Sequence, residues 1–325
     1  NLFLINPAGI VFGENARLDI GGSFVGSTAD AIAFDEDNFF SASNPENSSS
    51  LLQINPNALL FNQIKPASNQ NNSIAEVGRN QSDTITALGL RVPDGKSLLL
   101  VGGDVNINGG GLTALGGRVE LGGLAGKGTV GLNVDGDNLS LNFPSGVETS
   151  NVTLSNAAGV RVAADGAGSI AVNAKNLEMT GKSFLFTRIN ESDASEQSKT
   201  GNIDIKVTDA INVNESEIFN QESTNGNAGN LTIKTTNLVI QNGGKVSTAG
   251  NLNIEAQDIQ VIGASEDKTR SQLSAVGDND STQDNSRNIN IKTNTLLVKD
   301  GAEVVAGTFG NPQSTDSSST DDKQS

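Results

Sequence analysis

Five segments in the second half of the chain repeat one pattern, and this repeat limits the possible folds more than any other feature. They are Gly168–Leu177, Gly201–Ile211, Gly229–Leu238, Gly250–Ile259 and Arg287–Leu296. In each, Asn or Ser follows the first residue, and apolar residues then alternate with polar ones. Successive starts lie 33, 28, 21 and 37 residues apart. The shortest interval is the bare unit. The longer ones hold polar inserts such as Glu191–Lys199, Gln221–Asn227 and Ser265–Arg270. Three of the segments are followed by a glycine step, at Gly181, Gly243 and Gly301. Self-similarity at such a period is the mark of stacked repeats. A unit of this size makes about three short strands and carries too few apolar groups to fold alone. Stacked at ~4.8 Å per coil, each strand pairs with its copies above and below, and Ile, Leu and Val line a narrow column. Inserts leave the column as surface loops. The expected fold is all-β, a parallel β-helix, with a β-sandwich array as the competing arrangement. At roughly 20–25 residues per coil the whole chain makes about 13–16 coils, or ~60–75 Å of stack.

The first half agrees. Leu98–Val101, Val105–Ile107, Leu112–Ala114, Val119–Leu121 and Val130–Leu132 are strand-sized and separated by glycines. Gly102-Gly103, Gly109-Gly110-Gly111, Gly116-Gly117 and Gly122-Gly123 are expected to supply positive-φ corners. Seven of the 12 phenylalanines lie at or before Phe61, so the N-terminal end is expected to have a wider or capped core. Asn44–Ser50 and Asn69–Ser82 are polar and read as loops. From Asn311 the chain is rich in Ser, Thr and Asp and reads as disorder or linker. The organisation expected is residues 1–94 as an N-terminal region, 95–165 as glycine-rich coils, 166–310 as repeat coils with polar inserts, and 311–325 as a tail.

Composition excludes much chemistry. There is no Cys, His, Trp or Tyr and one Met among 325 residues. Without His there is no Ser-His-Asp triad or imidazole base, and without Cys no thiol nucleophile. Zinc, haem and iron–sulfur sites lose their ordinary ligands, and no cofactor is expected. The net charge of -16 repels phosphate backbones, which argues against nucleic-acid binding. No apolar run reaches membrane-spanning length. The chain opens inside an apolar run, Leu2–Ile5, and reads as a fragment or processed form.

The N-terminal stretch is the most specific motif. Asn6-Pro7-Ala8-Gly9-Ile10 reads as a tight turn into a strand: Pro fixes φ, Asn caps its own turn and Gly completes it. With Asn15-Ala16-Arg17 and the segment Gly22–Asp30, it resembles the N-terminal secretion domain of filamentous-haemagglutinin-type proteins, the exported partners of two-partner secretion. That family carries Asn-Pro-Asn-Gly-Ile where this chain has Ala8. Its upstream Asn-Pro-Asn-Leu motif is absent, and Asn55-Pro56-Asn57-Ala58-Leu59 echoes it only downstream. Residues 95–124 and the repeats resemble large cyanobacterial surface proteins carrying this domain. The resemblance implies a right-handed β-helix, and export through an outer-membrane β-barrel transporter whose periplasmic domains recognise the secretion domain. It also implies a secreted or cell-surface location, and adhesion to host, cell-surface or glycan receptors. Asn6, Pro7, Ala8, Gly9 and Ile10 are the expected transporter-recognition residues.

Two other classes compete with adhesion. One is a passive stalk for a distal effector. The other is an enzyme cleaving acidic polysaccharides with clustered carboxylates, for which Asp204, Asp209, Asp19 and Arg17 are the candidates. The acids of the repeats fall on outward positions where solubility alone would place them, so no enzyme is expected. Asp278-Asn279-Asp280 with Asp284 suggests calcium, but Thr282 and Gln283 stand where an EF-hand loop needs an oxygen ligand and Gly. Asp135-Gly136-Asp137 reads as a turn.

Overall fold

A computed structural model of the chain describes residues 1–35, 37–48, 55–78, 86–136, 138–163, 168–188, 201–221, 229–277 and 287–308. The acidic run at Asp278–Asp284, the insert Glu191–Lys199, Asp137 and the tail at 311–325 lie outside these residues.

The alternation of the repeats is realised as three parallel ladders around one apolar column. The first ladder runs through Leu2–Ile5, Phe24–Ser27, Ser97–Gly102, Arg118–Gly123, Ser169–Met179, Ile203–Asn214, Leu231–Lys234, Leu252–Glu255 and Ile289–Lys292. The second starts at Ile10–Phe12, Asn69–Asn71, Val105–Asn108 and Val152–Ser155. It continues through the latter halves of Ser169–Met179 and Ile203–Asn214, which bend round the corner, to Asn237–Gln241, Asp258–Ile262 and Thr295–Lys299. The third climbs from Leu90–Arg91 to Glu303–Thr308. The chain is therefore a parallel β-helix.

The register stacks like on like. Phe24, Leu98, Val119, Ile170, Ile203, Leu231 and Leu252 form one inward row, all buried. Each fully buried aliphatic side chain contributes ~1.5–3 kcal/mol of transfer free energy. A one-residue slip would turn a whole row outward, so the alternation fixes the register.

The coil count corrects the expectation. The first ladder holds nine strands among the described residues, a stack of roughly 38 Å at ~4.8 Å per step. The missing coils are spent outside the column. Ala31–Ala33, Phe39–Ser41, Ala58–Phe61, Gly128–Asp135 and Asn138–Asn142 form a five-stranded antiparallel sheet. It covers the outer face of the first ladder's early coils. Val25, Leu99 and Val101 point out of the column into a second core with Ile32, Leu59, Phe61, Val130, Leu132 and Leu139. This explains why Leu98-Leu99-Leu100-Val101 is an unbroken apolar run: both faces of that strand are buried.

Glu120 marks the edge of this cover. It follows Leu99 in the outward row and is 1% exposed. Arg118 Nε donates to its carboxylate at 2.9 Å and the Leu141 amide at 3.0 Å. Burial pushes the Glu120 carboxyl up, against the pull of Arg118. With Ser97 Oγ, which accepts from the Leu139 amide at 2.9 Å, Glu120 fastens the last cover strand to the helix.

Two local expectations are revised. Of the clustered glycines, only Gly109 and Gly116 take positive φ, at 67° and 63°. Gly102, Gly103, Gly110, Gly117, Gly122 and Gly123 instead allow close approach: a Cβ at Gly117 would lie 1.9 Å from the Lys96 carbonyl oxygen, and one at Gly123 2.0 Å from that of Gly102. Asn69–Asn71 is a strand rather than a loop, and Asn69 and Asn71 point inward, fully buried. Asn69 Nδ2 donates to the Val101 carbonyl at 2.9 Å, and Asn71 Nδ2 to that of Gly111 at 3.0 Å. They tie the second ladder to strands of the first and third, at Val101 and Gly111, which an aliphatic residue could not do.

Candidate functional site

The turn at Asn6–Ile10 joins the first strand of the first ladder to the first strand of the second. Its geometry follows from its residues. Asn6 Oδ1 accepts from the Ala8 amide at 3.1 Å, and the Gly9 amide donates to the Asn6 carbonyl at 3.0 Å. Gly9 has φ 108°, a conformation glycine adopts freely. Ala8 is exposed. Its backbone N–H is already bonded by Asn6, so the turn closes without a side-chain amide at position 8.

The turn is moored at both ends and in the middle. The Asn6 amide donates to the Ser27 carbonyl at 2.9 Å and the Ile10 amide to that of Ser68 at 3.2 Å. Gln63 Nε2 donates to the Pro7 carbonyl at 3.0 Å and to Asp30 Oδ1 at 3.3 Å. Gln63 therefore links the start of the secretion-like stretch to its end.

Asp30 is the centre of this linkage. It is 8% exposed. The Asn62 amide donates to Oδ2 at 2.6 Å and Ser43 Oγ to Oδ1 at 2.9 Å. Its backbone carbonyl accepts from the Ala42 and Ser43 amides, and its amide donates to the Leu60 carbonyl. Burial alone would raise its carboxyl pKa. The bonds from Asn62, Ser43 and Gln63 outweigh that and hold it below the usual carboxylate value. Thr28 completes the site: its Oγ1 donates to the Ala67 carbonyl at 2.7 Å and accepts from the Gly103 amide at 3.2 Å.

The structure brings Asn6, Pro7, Gly9 and Ile10 onto one moored turn and leaves Ala8 facing solvent. Gln63 was not singled out in the sequence, and the only signal for it was a polar Asn-Gln pair directly after an apolar strand. Asn55–Leu59 leads into the cover sheet: the Asn57 amide donates to the Ala33 carbonyl and its carbonyl accepts from the Leu132 amide. The carboxylates considered for polysaccharide cleavage are dispersed. Asp204 sits in the outward row between Ala171 and Thr232, and the Asp209 carbonyl serves a corner by accepting from Thr235 Oγ1. Among the described residues no three metal-ligating side chains converge, and no helix is long and apolar enough to cross a membrane.

The family model of the TPS secretion domain matches residues 1–176, more than half of the chain. No curated protein and no solved structure matches it.

Proposed function

The chain belongs to the TPS secretion domain family, and from that premise we propose that its Asn6–Ile10 segment is read by the outer-membrane transporter and that its β-helix acts in adhesion at the cell surface. As a two-partner secretion exoprotein it is exported across the outer membrane and is secreted or held at the surface. Its family is one of secreted exoproteins rather than enzymes, and it implies an outer-membrane transporter partner.

The observation that carries the recognition reading is the self-sufficiency of the turn. Asn6, Pro7 and Gly9 form it from neighbours in sequence, so the same local shape is available before any coil has stacked. A transporter that receives the chain extended meets this turn early. Asn6→Asp separates recognition from folding. Aspartate keeps the oxygen that accepts from the Ala8 amide but loses the amide donor and adds charge. Export of the open reading frame carrying this chain is expected to fall with this variant, while the purified variant keeps its melting temperature. Undiminished release into the medium would remove the recognition role.

The adhesion reading rests on an extended sheet surface with mixed polar and aromatic outward rows. It is tested by comparing surface attachment of cells that display the chain with cells that lack it. The organisation into residues 1–94, 95–165, 166–310 and 311–325 is likewise a proposal. Limited proteolysis with cuts clustered near 94, 165 and 310 would support it.

A further inference from the structure

The outward face of the third ladder carries an aromatic shelf. Phenylalanine is scarce beyond residue 61, at five of the chain's 12, yet three of those five meet here. Phe186 and Phe219 are register partners on successive coils, with ring centroids 4.5 Å apart and planes inclined by 30°. Phe184 stands 6.5 Å from Phe219. None of the three joins the column core. The shelf has space built for it: a Cβ at Gly159 would lie 2.4 Å from the Phe184 ring.

A cation rests on this shelf. Arg161, the register partner of Phe186, holds its guanidinium 5.1 Å from the Phe186 ring centroid and 5.7 Å from that of Phe184. Burial draws its pKa below the ordinary guanidinium value, and it stays charged at neutral pH. Two of the four acids lining the cleft are already matched: Glu217 pairs with Lys245 at 3.1 Å, and Asp267 accepts from Ser265 Oγ and the Thr269 amide. Among the described residues no carboxylate pairs with Arg161. The cleft around it encloses about 840 Å³, bounded by Lys182 and Asn242 at the corner and by the Ser265–Thr269 loop. That volume suits a small oligosaccharide.

We propose that this cleft binds an acidic glycan, with a pyranose ring packed against the half-buried Phe219 and an anionic substituent held by Arg161. Three physical facts support this. Phe184 and Phe219 are half-buried and Phe186 is buried, and aromatic rings at the wall of a cleft offer apolar contact to the C–H face of a sugar. A partly desolvated guanidinium without a carboxylate gains most from a planar anion such as a uronate, which it can grip with two parallel bonds. Of the four acids lining the cleft, Glu217 and Asp267 are engaged with Lys245 and with Ser265 and Thr269, and neither Glu215 nor Glu266 forms an ion pair with Arg161. The proposal rests on the surface-interaction reading above and names the chemistry of its partner.

The test is titration calorimetry of the purified chain against three oligosaccharide sets: oligogalacturonate, a sulfated neutral galactan and uncharged dextran. Saturable binding to an acidic set, at least about tenfold tighter than to dextran, is expected. Preference between the two acidic sets identifies the anion as carboxylate or sulfate ester. Arg161→Gln should reduce acidic-glycan affinity by about tenfold and flatten the salt dependence. Phe219→Ala should weaken binding to both acidic sets. Arg161→Lys keeps the charge without the fork and should fall between wild type and Arg161→Gln. Lys206→Gln, in an outward row of the first ladder, should change nothing. Circular dichroism and melting of each variant confirm that the coils persist. Absence of saturable acidic-glycan binding by the wild-type chain, or unchanged affinity in folded Arg161→Gln, would overturn the proposal. If calorimetry rejects the cleft, attachment of cells displaying the wild-type chain would leave the adhesion reading intact.

Discussion

Replacing Asp30 by Ala tests whether one buried carboxylate holds the N-terminal region together. The substitution removes the acceptor for the Asn62 amide at 2.6 Å, Ser43 Oγ at 2.9 Å and Gln63 Nε2 at 3.3 Å. A hydrogen bond to a charged group contributes ~1.5–3 kcal/mol when short and buried, and much less when long. The Asn62 bond dominates, the Ser43 bond is intermediate, and the Gln63 bond adds little. The expected loss is about 3 kcal/mol, because the donors are left facing a methyl group. Asp30→Asn keeps one acceptor oxygen without the charge and should lose about half as much. Urea denaturation at constant m-value reads the change. Amide exchange localises it: the Asn62 amide, which loses its acceptor, should exchange about a hundredfold faster in Asp30→Ala, while amides of the late coils keep their rates. A double-mutant cycle with Gln63→Ala should show coupling of about 0.5–1 kcal/mol. A loss below about 1 kcal/mol, or unchanged Asn62 exchange, would refute the idea that Asp30 organises this region.

Three further outcomes follow from the same structure. The folded Asp30 pKa lies below its unfolded value, so its stabilisation is present above the ordinary Asp value and lost as pH falls through the folded one; acid titration of the melting temperature should show this loss, and Asp30→Asn should blunt it. Gly123→Ala places a Cβ 2.0 Å from the Gly102 carbonyl oxygen, which requires backbone to shift and should cost at least about 3 kcal/mol in thermal or denaturant unfolding. Asn71→Ala removes one donor to the Gly111 carbonyl and the acceptor of the Ser73 amide, both bonded to Asn71 within 3.1 Å, and should destabilise by about 2 kcal/mol with a matching rise in exchange at Ser73.

The repeats were legible because alternation and register are the same information. Ile203, Leu231, Leu252 and Ile289 occupy equivalent places in the sequence pattern and are register partners in the first ladder. The cover sheet was not legible. Its strands are contributed by residues 31–61 and 128–142, and nothing local says that Val130 and Leu132 leave the column to meet Leu59 and Ile32. The hints were the phenylalanines at or before Phe61, which pointed to a wider or capped core, and the run Leu98–Val101, whose two buried faces require a second layer. Asn69 and Asn71 were misread because a buried amide is written with the same letter as a loop residue; its carbonyl partners, at Val101 and Gly111, lie 30 or more residues away. The positive-φ explanation of the glycine clusters holds at Gly109 and Gly116 alone, since steric approach between coils leaves no local mark that distinguishes it from a left-handed corner. The turn at Asn6–Gly9 was readable because its bonds are local, whereas its moorings to Ser27, Gln63 and Ser68 are set by the fold.

Dependence of export on the outer-membrane partner tests the account most directly. The open reading frame carrying this chain, expressed in a double-membrane host with and without its outer-membrane β-barrel transporter, is followed by immunoblotting of medium, surface and periplasm. Release or surface display only with the transporter, and its reduction by Asn6→Asp, is the predicted result. Equal release without the transporter would contradict the account.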